Sequence, residues 1–577
     1  KGSLNTFLNA MTYPDKTCYP VASCNDQDFQ NLMHVYLDAV FYPNICKKEE
    51  IFRQEGWSYQ LEDTEGPLKY NGVVYNEMKG AFSSPDEVLE REIMNSLFPD
   101  TPYGCESGGD PNHIPELSYE EFLQFHKTYY HPSNSYIYLY GNMDMAEKLE
   151  FIDEHYLSAF EKLEVDSDLP LQPAFTERKE LQLEYPVSES ENEEGNAYLA
   201  YSTVVGDASD ELTAMAFEVL DYALLSAPGA PLKQALLDAQ IGMDVYGSYD
   251  DGILQPYFDI VAKGTDPDKK EKFVEIIRTT LEDIVKNGID KKALKAGINY
   301  MEFRYREADF SAWPKGLMYG LDIFGSWLYS DEKAFSHVKL IPVFEKLKEL
   351  SGERYFEELI QKYLLDNPHG SVITLVPSKG LAARREKALE EQLQAKLEKM
   401  TQEEKEILVE KTKALVEYQE AEEEPGSEKC IPMLKREDIK KEAAGFTNEE
   451  LDVSGSLFLY HEVPTNGISY LDLMFDLKNL DPEDVPYLGL LKSVLGFVDT
   501  AHFSYGELSN EINAETGGIS CGVEVFDRAD STEEYKAVFS VRGKVMYPRI
   551  DVLFRMIREI LNTSKLDDGK RLYEIIA

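Results

Sequence analysis

Along most of this chain apolar positions recur every three or four residues, broken by short stretches in which they alternate or run together. The helical period is clearest in three segments. They begin at Phe29 (FQNLMHVYLDAVFYPNICKKEEIFRQEGW), Lys272 (KFVEIIRTTLEDIVKNGIDKKALKAGINY) and Ile550 (IDVLFRMIREILNTSKLDDGKRLYEIIA). Each reads as an amphipathic helix, a short polar break and a second helix. Gly- or Asn-marked strand patterns precede the last two, IGMDVYGSYDDGILQPYFDIVAKG and TGGISCGVEVFDRADSTEEYKAVFSVRGK, whereas the first keeps only NAMTYPDKTCYPVAS. One element order met three times predicts an α+β fold of repeated domains, each an antiparallel sheet with helices on one face.

The same pattern sets the boundaries. Residues 1–165 form a first unit that closes with a tyrosine-rich strand, SYIYLYGN, and a helix running toward Phe160. Residues 166–378 form a second, homologous unit, with the acidic loop SESENEEGN near its start. Residues 379–450 are dense in Ala, Leu, Glu and Lys, with leucines at 389, 393 and 397, and predict a solvent-washed helical-hairpin linker broken near Thr401. A third unit covers 451–577. Ser84-Pro85-Asp86-Glu87 and Ser118-Tyr119-Glu120-Glu121 have the order of helix starts, and His131-Pro132 ends the second of these helices. The chain opens on Lys1 inside a structured pattern and stops at RLYEIIA inside a helical one, so it reads as a piece of a longer protein, the first and third units being truncated.

Composition narrows the function. Of 577 residues, 58 are Lys or Arg and 106 are Asp or Glu, a net charge of −48, and 43% are hydrophobic. Extended disorder is excluded, and no apolar run reaches the roughly 18–20 residues that span a bilayer. The acid excess repels phosphate backbones and anionic lipid, which argues against nucleic-acid and membrane partners, and attracts basic peptides. Six dispersed cysteines form no C-x-x-C and read as thiols in a reducing compartment. There is no G-x-S-x-G, no phosphate loop and no dinucleotide fingerprint. None of the nine histidines has a histidine four residues away; His126 and His131 lie five apart across a helix end and suit capping or packing. On spacing alone the chain holds no complete catalytic centre.

Three blocks carry a resemblance: KGSLNTFLNAMTYPDKTCYPVAS, NGVVYNEMKGAFSSPDEVL and SGGDPNHIPELSYEEFLQFHKTYYHPSNSYIYLYGN. They resemble the presequence-protease branch of the pitrilysin/insulinase-type zinc metallopeptidases, closely over residues 1–145 and more loosely through INAETGGISCGVEV to 577. The resemblance implies an ATP-independent zinc peptidase that closes two halves around unfolded peptides. Its inverted motif, His-x-x-Glu-His, supplies two zinc ligands and the general base, and the match places that motif upstream of Lys1, leaving no catalytic residue in this chain. On residues alone Glu77 is one of 106 carboxylates; by resemblance it is the distant third zinc ligand, with Asn76 beside it in a supporting role or as a helix-surface amide. Leu8, Asn9, Ala10, Met11 and Thr12 match the family strand that pairs with extended substrate, and an ordinary sheet strand is the alternative.

The leading expectation is therefore a zinc-dependent oligopeptidase of presequence-like, basic peptides, completed by the C-terminal half of the same protein. It would work in a bacterial cytoplasm or, alternatively, a mitochondrial matrix or other organelle lumen. A non-catalytic peptide-binding or structural subunit of the same superfamily is the second reading, and an acidic peptide-holding chaperone the third.

Overall fold

The computed structural model describes residues 3–422, 425–442, 445–531 and 533–576. In the first unit short strands pair two by two: β1 (Asn5–Leu8) with β4 (Val21–Ser23), β2 (Met11–Thr12) with β3 (Thr17–Cys18), and β5 (Ser58–Gln60) with β6 (Lys69–Asn71). Around them lie α1 (Asp26–Phe41), α2 (Glu49–Glu55), α3 (Val73–Ala81), α4 (Pro85–Leu97), α5 (Tyr119–Tyr129) and α6 (Met145–His155). Ser118 makes the expected capping box with Glu121 at the start of α5. Ser84 stands at the N-cap of α4 ahead of Pro85, but its side chain makes no capping hydrogen bond.

The second unit is built on one five-stranded sheet, ordered β7 (Lys179–Val187), β11 (Gly370–Lys379), β8 (Ala197–Val204), β10 (Tyr257–Thr265), β9 (Asp244–Asp250). All its pairs are antiparallel except β7 with β11, which the long excursion between them allows to run parallel. Its helices are α7 (Glu211–Asp221), α8 (Pro231–Asp238), α9 (Lys270–Asn287), α10 (Lys291–Glu307), α11 (Lys315–Trp327), α12 (Ile341–Leu350) and α13 (Tyr355–Leu359). On α9 the four-residue spacing of Phe273, Ile277 and Leu281 puts three fully buried side chains on the sheet-facing stripe. Every residue of β8 is buried, which requires cover on both faces. The second cover comes from the first unit: Val88, Leu89, Ile93 and Leu97 of α4 pack on Tyr198, Ala200, Val261 and Ile373.

The linker folds as α14 (Leu381–Lys399) and α15 (Gln402–Glu420), with Thr401 capping the second helix. Leu393 and Leu397 dock on Leu61 and Leu68 of the first unit. The third unit pairs β12 (Glu449–Val453) with β13 (Ser456–Tyr460) and orders β14 (Ile468–Asp476), β16 (Tyr535–Met546) and β15 (Ile519–Asp527) in an antiparallel sheet. Helices α16 (Val485–Val494), α17 (Tyr505–Glu515), α18 (Ile550–Thr563) and α19 (Gly569–Ile576) accompany it. The three helix–break–helix segments are thus α1–α2, α9–α10 and α18–α19. Repeated α+β domains joined by a helical hairpin are the architecture.

One expected strand is absent. Residues 135–140 form no strand and have no ladder partner among the described residues. Their alternate tyrosines, Tyr136, Tyr138 and Tyr140, face α11 instead, with Tyr136 edge-on to Trp327 at 4.7 Å. Gly316 and Gly320 make this possible, because a Cβ on either would come within 2.5 Å of Tyr140 and 3.0 Å of Tyr138 respectively.

The second unit also buries acids. Asp259, on β10, is 6% exposed, and its Oδ1 accepts from the Ser248 amide (2.9 Å) and hydroxyl (3.1 Å). Burial pushes its carboxyl up to about 7, with Asp221 and Asp250 adding repulsion against the Ser248 bonds. Because the folded value lies above the unfolded one, the stability contributed by protonation is full below about pH 4 and lost as pH rises through about 7. Asp259→Asn keeps an acceptor for Ser248 without the charge. Thermal unfolding should show the variant more stable than wild type at pH 8, by on the order of 1–3 kcal/mol, and equal to it near pH 4. A difference independent of pH would refute the assignment.

Candidate functional site

The segment expected to hold substrate consists of two short strands joined by a break. Leu8 pairs with Val21 in β1–β4, and Asn9 donates its amide to Pro20 O at 3.3 Å. Ala10 leaves the ladder; its amide donates to Oδ1 of Asn9 at 2.9 Å. Met11 and Thr12 then pair with Cys18 and Thr17. Leu8, Asn9, Ala10 and Thr12 are exposed and Met11 is half-buried.

Ala10 and Thr12 border a cavity of about 2460 Å³ that runs between the first unit and the α11 region of the second. Its wall is largely aromatic and aliphatic, with Phe7, Tyr19, Tyr138 and Trp313 among its residues. Six carboxylates and four lysines are interspersed, so the charge of −48 is spread over the molecule rather than concentrated here. Sequence reasoning did not mark the cavity residues on 135–140 and α11. Their signals are the alternation of Tyr136, Tyr138 and Tyr140 and the four-residue spacing of Gly316 and Gly320.

Glu77 sits elsewhere. Helix α3 starts after Gly72, whose φ is +150° and where a Cβ would overlap Gly56 O, so no side chain fits. Tyr75 and Met78 turn inward, Tyr75 being 3% exposed and Met78 lying against Gly108. Asn76 and Glu77 consequently face outward and are exposed. Asn76 Nδ2 donates to Asn71 Oδ1 at 3.0 Å, and Lys79 pairs with Glu386 of α14 at 2.6 Å. Glu77 has no ion pair or hydrogen-bonded side-chain partner among the described residues, and neither it nor Asn76 borders the cavity.

Zinc needs three protein ligands around an open position. Among the described residues no group of three or more His, Cys, Asp and Glu is arranged to hold a metal ion. The described residues do not by themselves fit the metal. His126 Nε2 lies 3.3 Å from Val40 O and His131 Nδ1 accepts from the Ser133 amide at 3.1 Å, a packing and a capping role. No helix among the described residues is long and apolar enough to cross a membrane.

Fold and sequence together define a class. Two family models match: peptidase M16 inactive domain over residues 116–301, and peptidase M16 (subgroup C) associated over residues 375–577. Protein HypA of Clostridium perfringens is 44% identical over 576 residues, covering 100% of this chain and 59% of its own length. Presequence protease 1, chloroplastic/mitochondrial, of Arabidopsis thaliana is 36% identical over 591 residues, covering 100% of this chain and 54% of its own length. The crystal structure of pitrilysin shares the fold, with a TM-score of 0.50 at 15% identity over 98% of this chain and 56% of that one. The chain belongs to the pitrilysin/insulinase-type (M16) peptidase family, on its presequence-protease branch. It spans between 54 and 59% of the length of the two curated relatives named here.

Proposed function

We propose that the full-length protein is a zinc-dependent, ATP-independent oligopeptidase that degrades unfolded, basic peptides inside a chamber closed by its C-terminal half. The observation that carries this reading is the 2460 Å³ cavity with the exposed Ala10 and Thr12 on its border. An extended peptide would add to that edge through backbone hydrogen bonds, taking the Ala10 amide from Asn9 Oδ1, and its apolar side chains would lie on the aromatic wall. Such binding is tolerant of sequence, and the molecular field favours cationic peptides. Glu77 would supply one zinc ligand, and parts of the protein other than residues 1–577 would supply the histidine pair and base. The reading takes the protein to work in the cytoplasm, with an organelle lumen as the alternative.

The test is hydrolysis and binding of matched basic and acidic peptides of equal length by the full-length protein without ATP, at low and high salt. The basic peptide should be preferred at low salt and lose that preference as salt shortens the screening length to about 10 Å at 0.1 M. Ala10→Pro removes a backbone donor and should weaken both peptides alike. Equal affinity for both peptides at low salt removes the field argument, and full binding by a folded Ala10→Pro variant removes the edge. Binding without cleavage in a zinc-loaded protein would favour the non-catalytic subunit.

A further inference from the structure

The hairpin that carries Met11 and Thr12 has only two residue pairs in its ladder, too few to hold a position by itself. What holds it lies in its turn. Tyr13 N donates to Lys16 O at 2.8 Å, closing a four-residue loop that contains Asp15. The Asp15 side chain has no exposed surface, and a buried carboxylate is costly unless its oxygens are fully used. They are. Oδ2 accepts from the Tyr103 hydroxyl at 2.7 Å and from the Tyr329 hydroxyl, and Oδ1 pairs with Lys16 Nζ at 3.0 Å.

Each of these partners leads into the second unit. Tyr329 follows α11 and belongs to that unit itself. Tyr103 accepts the Leu254 amide at 3.0 Å, and Lys16 Nζ donates to Gly252 O at 3.0 Å. Burial and the Asp15 charge push both phenols above their ordinary value, so they stay protonated and keep donating. The hydrogen bonds to a charged acceptor are of the stronger kind.

We propose that Asp15 is a positioning residue: through Tyr103, Tyr329 and Lys16 it fixes the β2–β3 hairpin to the second unit, and so sets the place of the Ala10–Thr12 edge for an incoming peptide. The inference rests on the peptide-binding reading above and adds to it a residue whose side chain is wholly buried behind the cavity wall and acts through its partners. It also makes the cavity wall one surface across two units, since a shift of the second unit moves the edge with it.

The test uses the full-length protein in EDTA, which stops zinc-dependent turnover, with a fluorescein-labelled, basic amphipathic peptide of about 20 residues. Affinity is read by anisotropy, and amide hydrogen exchange of residues 11–18 is read without peptide. Asp15→Asn and Tyr329→Phe should each weaken binding about 10-fold and speed exchange in the hairpin. The double variant should be no worse than either single one, because both act through one node. Tyr329→Phe deletes a single hydroxyl and keeps the ring, so it decides the matter if Asp15→Asn fails to fold. Unchanged exchange in residues 11–18 overturns the inference, as does faster exchange with unchanged affinity. A wild type that binds no peptide overturns the peptide-binding reading and the positioning role with it, and its exchange data separate that result from failure of the hairpin anchor.

Discussion

Glu77→Gln in the full-length protein should lower peptide hydrolysis by about 100-fold or more and reduce bound zinc well below one per chain after dialysis. Outer partners of metal ligands are worth roughly 10–100-fold, and a direct ligand is worth at least as much. The neutral amide is a poor donor to a divalent cation, and the substitution changes little else. Glu77 is exposed on α3, and the contacts that hold the helix are made by Tyr75, Met78 and Lys79. The melting temperature should therefore stay close to that of wild type, as for most surface changes, which lie within about 0.5 kcal/mol. Metal analysis, kinetics and thermal unfolding on the same preparation separate loss of a ligand from loss of fold. The 577-residue chain alone should retain far less than one zinc, since one carboxylate without a histidine pair holds the ion weakly. Undiminished activity in Glu77→Gln would make Glu77 a solvated helix residue and nothing more.

Phe217→Ala should destabilise the second unit by about 3–5 kcal/mol, the range for removing a large aromatic side chain from a core that relaxes incompletely. Phe217 lies on α7 with no exposed surface. Its ring stacks on Tyr249 at 5.6 Å and meets Phe258 at 5.7 Å and Tyr363 at 5.8 Å, edge-on in both cases. Those neighbours come from β9, β10 and the turn after α13, so the void cannot close by shifting one element. In denaturant unfolding the midpoint should fall sharply, and Phe217→Leu, which leaves a smaller void, should fall less. Equal midpoints for both variants would mean that the site collapses and that the contacts matter less than their geometry implies.

Residues near in sequence carried their own signals. The spacing of Phe273, Ile277 and Leu281, the capping order at Ser118, the break near Thr401 and the regular leucines of the linker each specify a helix, an end or a buried face within one or two turns, where local geometry dominates. The blocks that carry the family resemblance, around Asn9–Thr12 and Asn76–Glu77, are recognisable for the same reason. They are contiguous, and their resemblance to a peptidase family needs no knowledge of what lies beside them.

What the chain order does not contain is which distant surfaces meet. The alternation of Tyr136, Tyr138 and Tyr140 specifies an extended segment with one aromatic face, and it predicts a strand equally well. Only packing against Gly316 and Gly320 of α11 gives that face a helix instead of a sheet. Every residue of β8 is buried, the polar Ser202 and Thr203 included, and the arrival of α4 from the first unit to cover it is a matter of tertiary packing. Asp15 is the sharpest case, as one of 106 acids in a turn with nothing in its neighbours to distinguish it. Its weight comes from Tyr103, Tyr329 and the backbone near Gly252, more than 80 to more than 300 residues away in the chain. By itself the sequence determined the three helix–break–helix segments, the repeated α+β order, the linker helices and the family; the cavity, the outward aim of Glu77 and the anchor of the hairpin were decided by tertiary structure, because burial and hydrogen bonding of a side chain depend on partners that sequence proximity does not bring together.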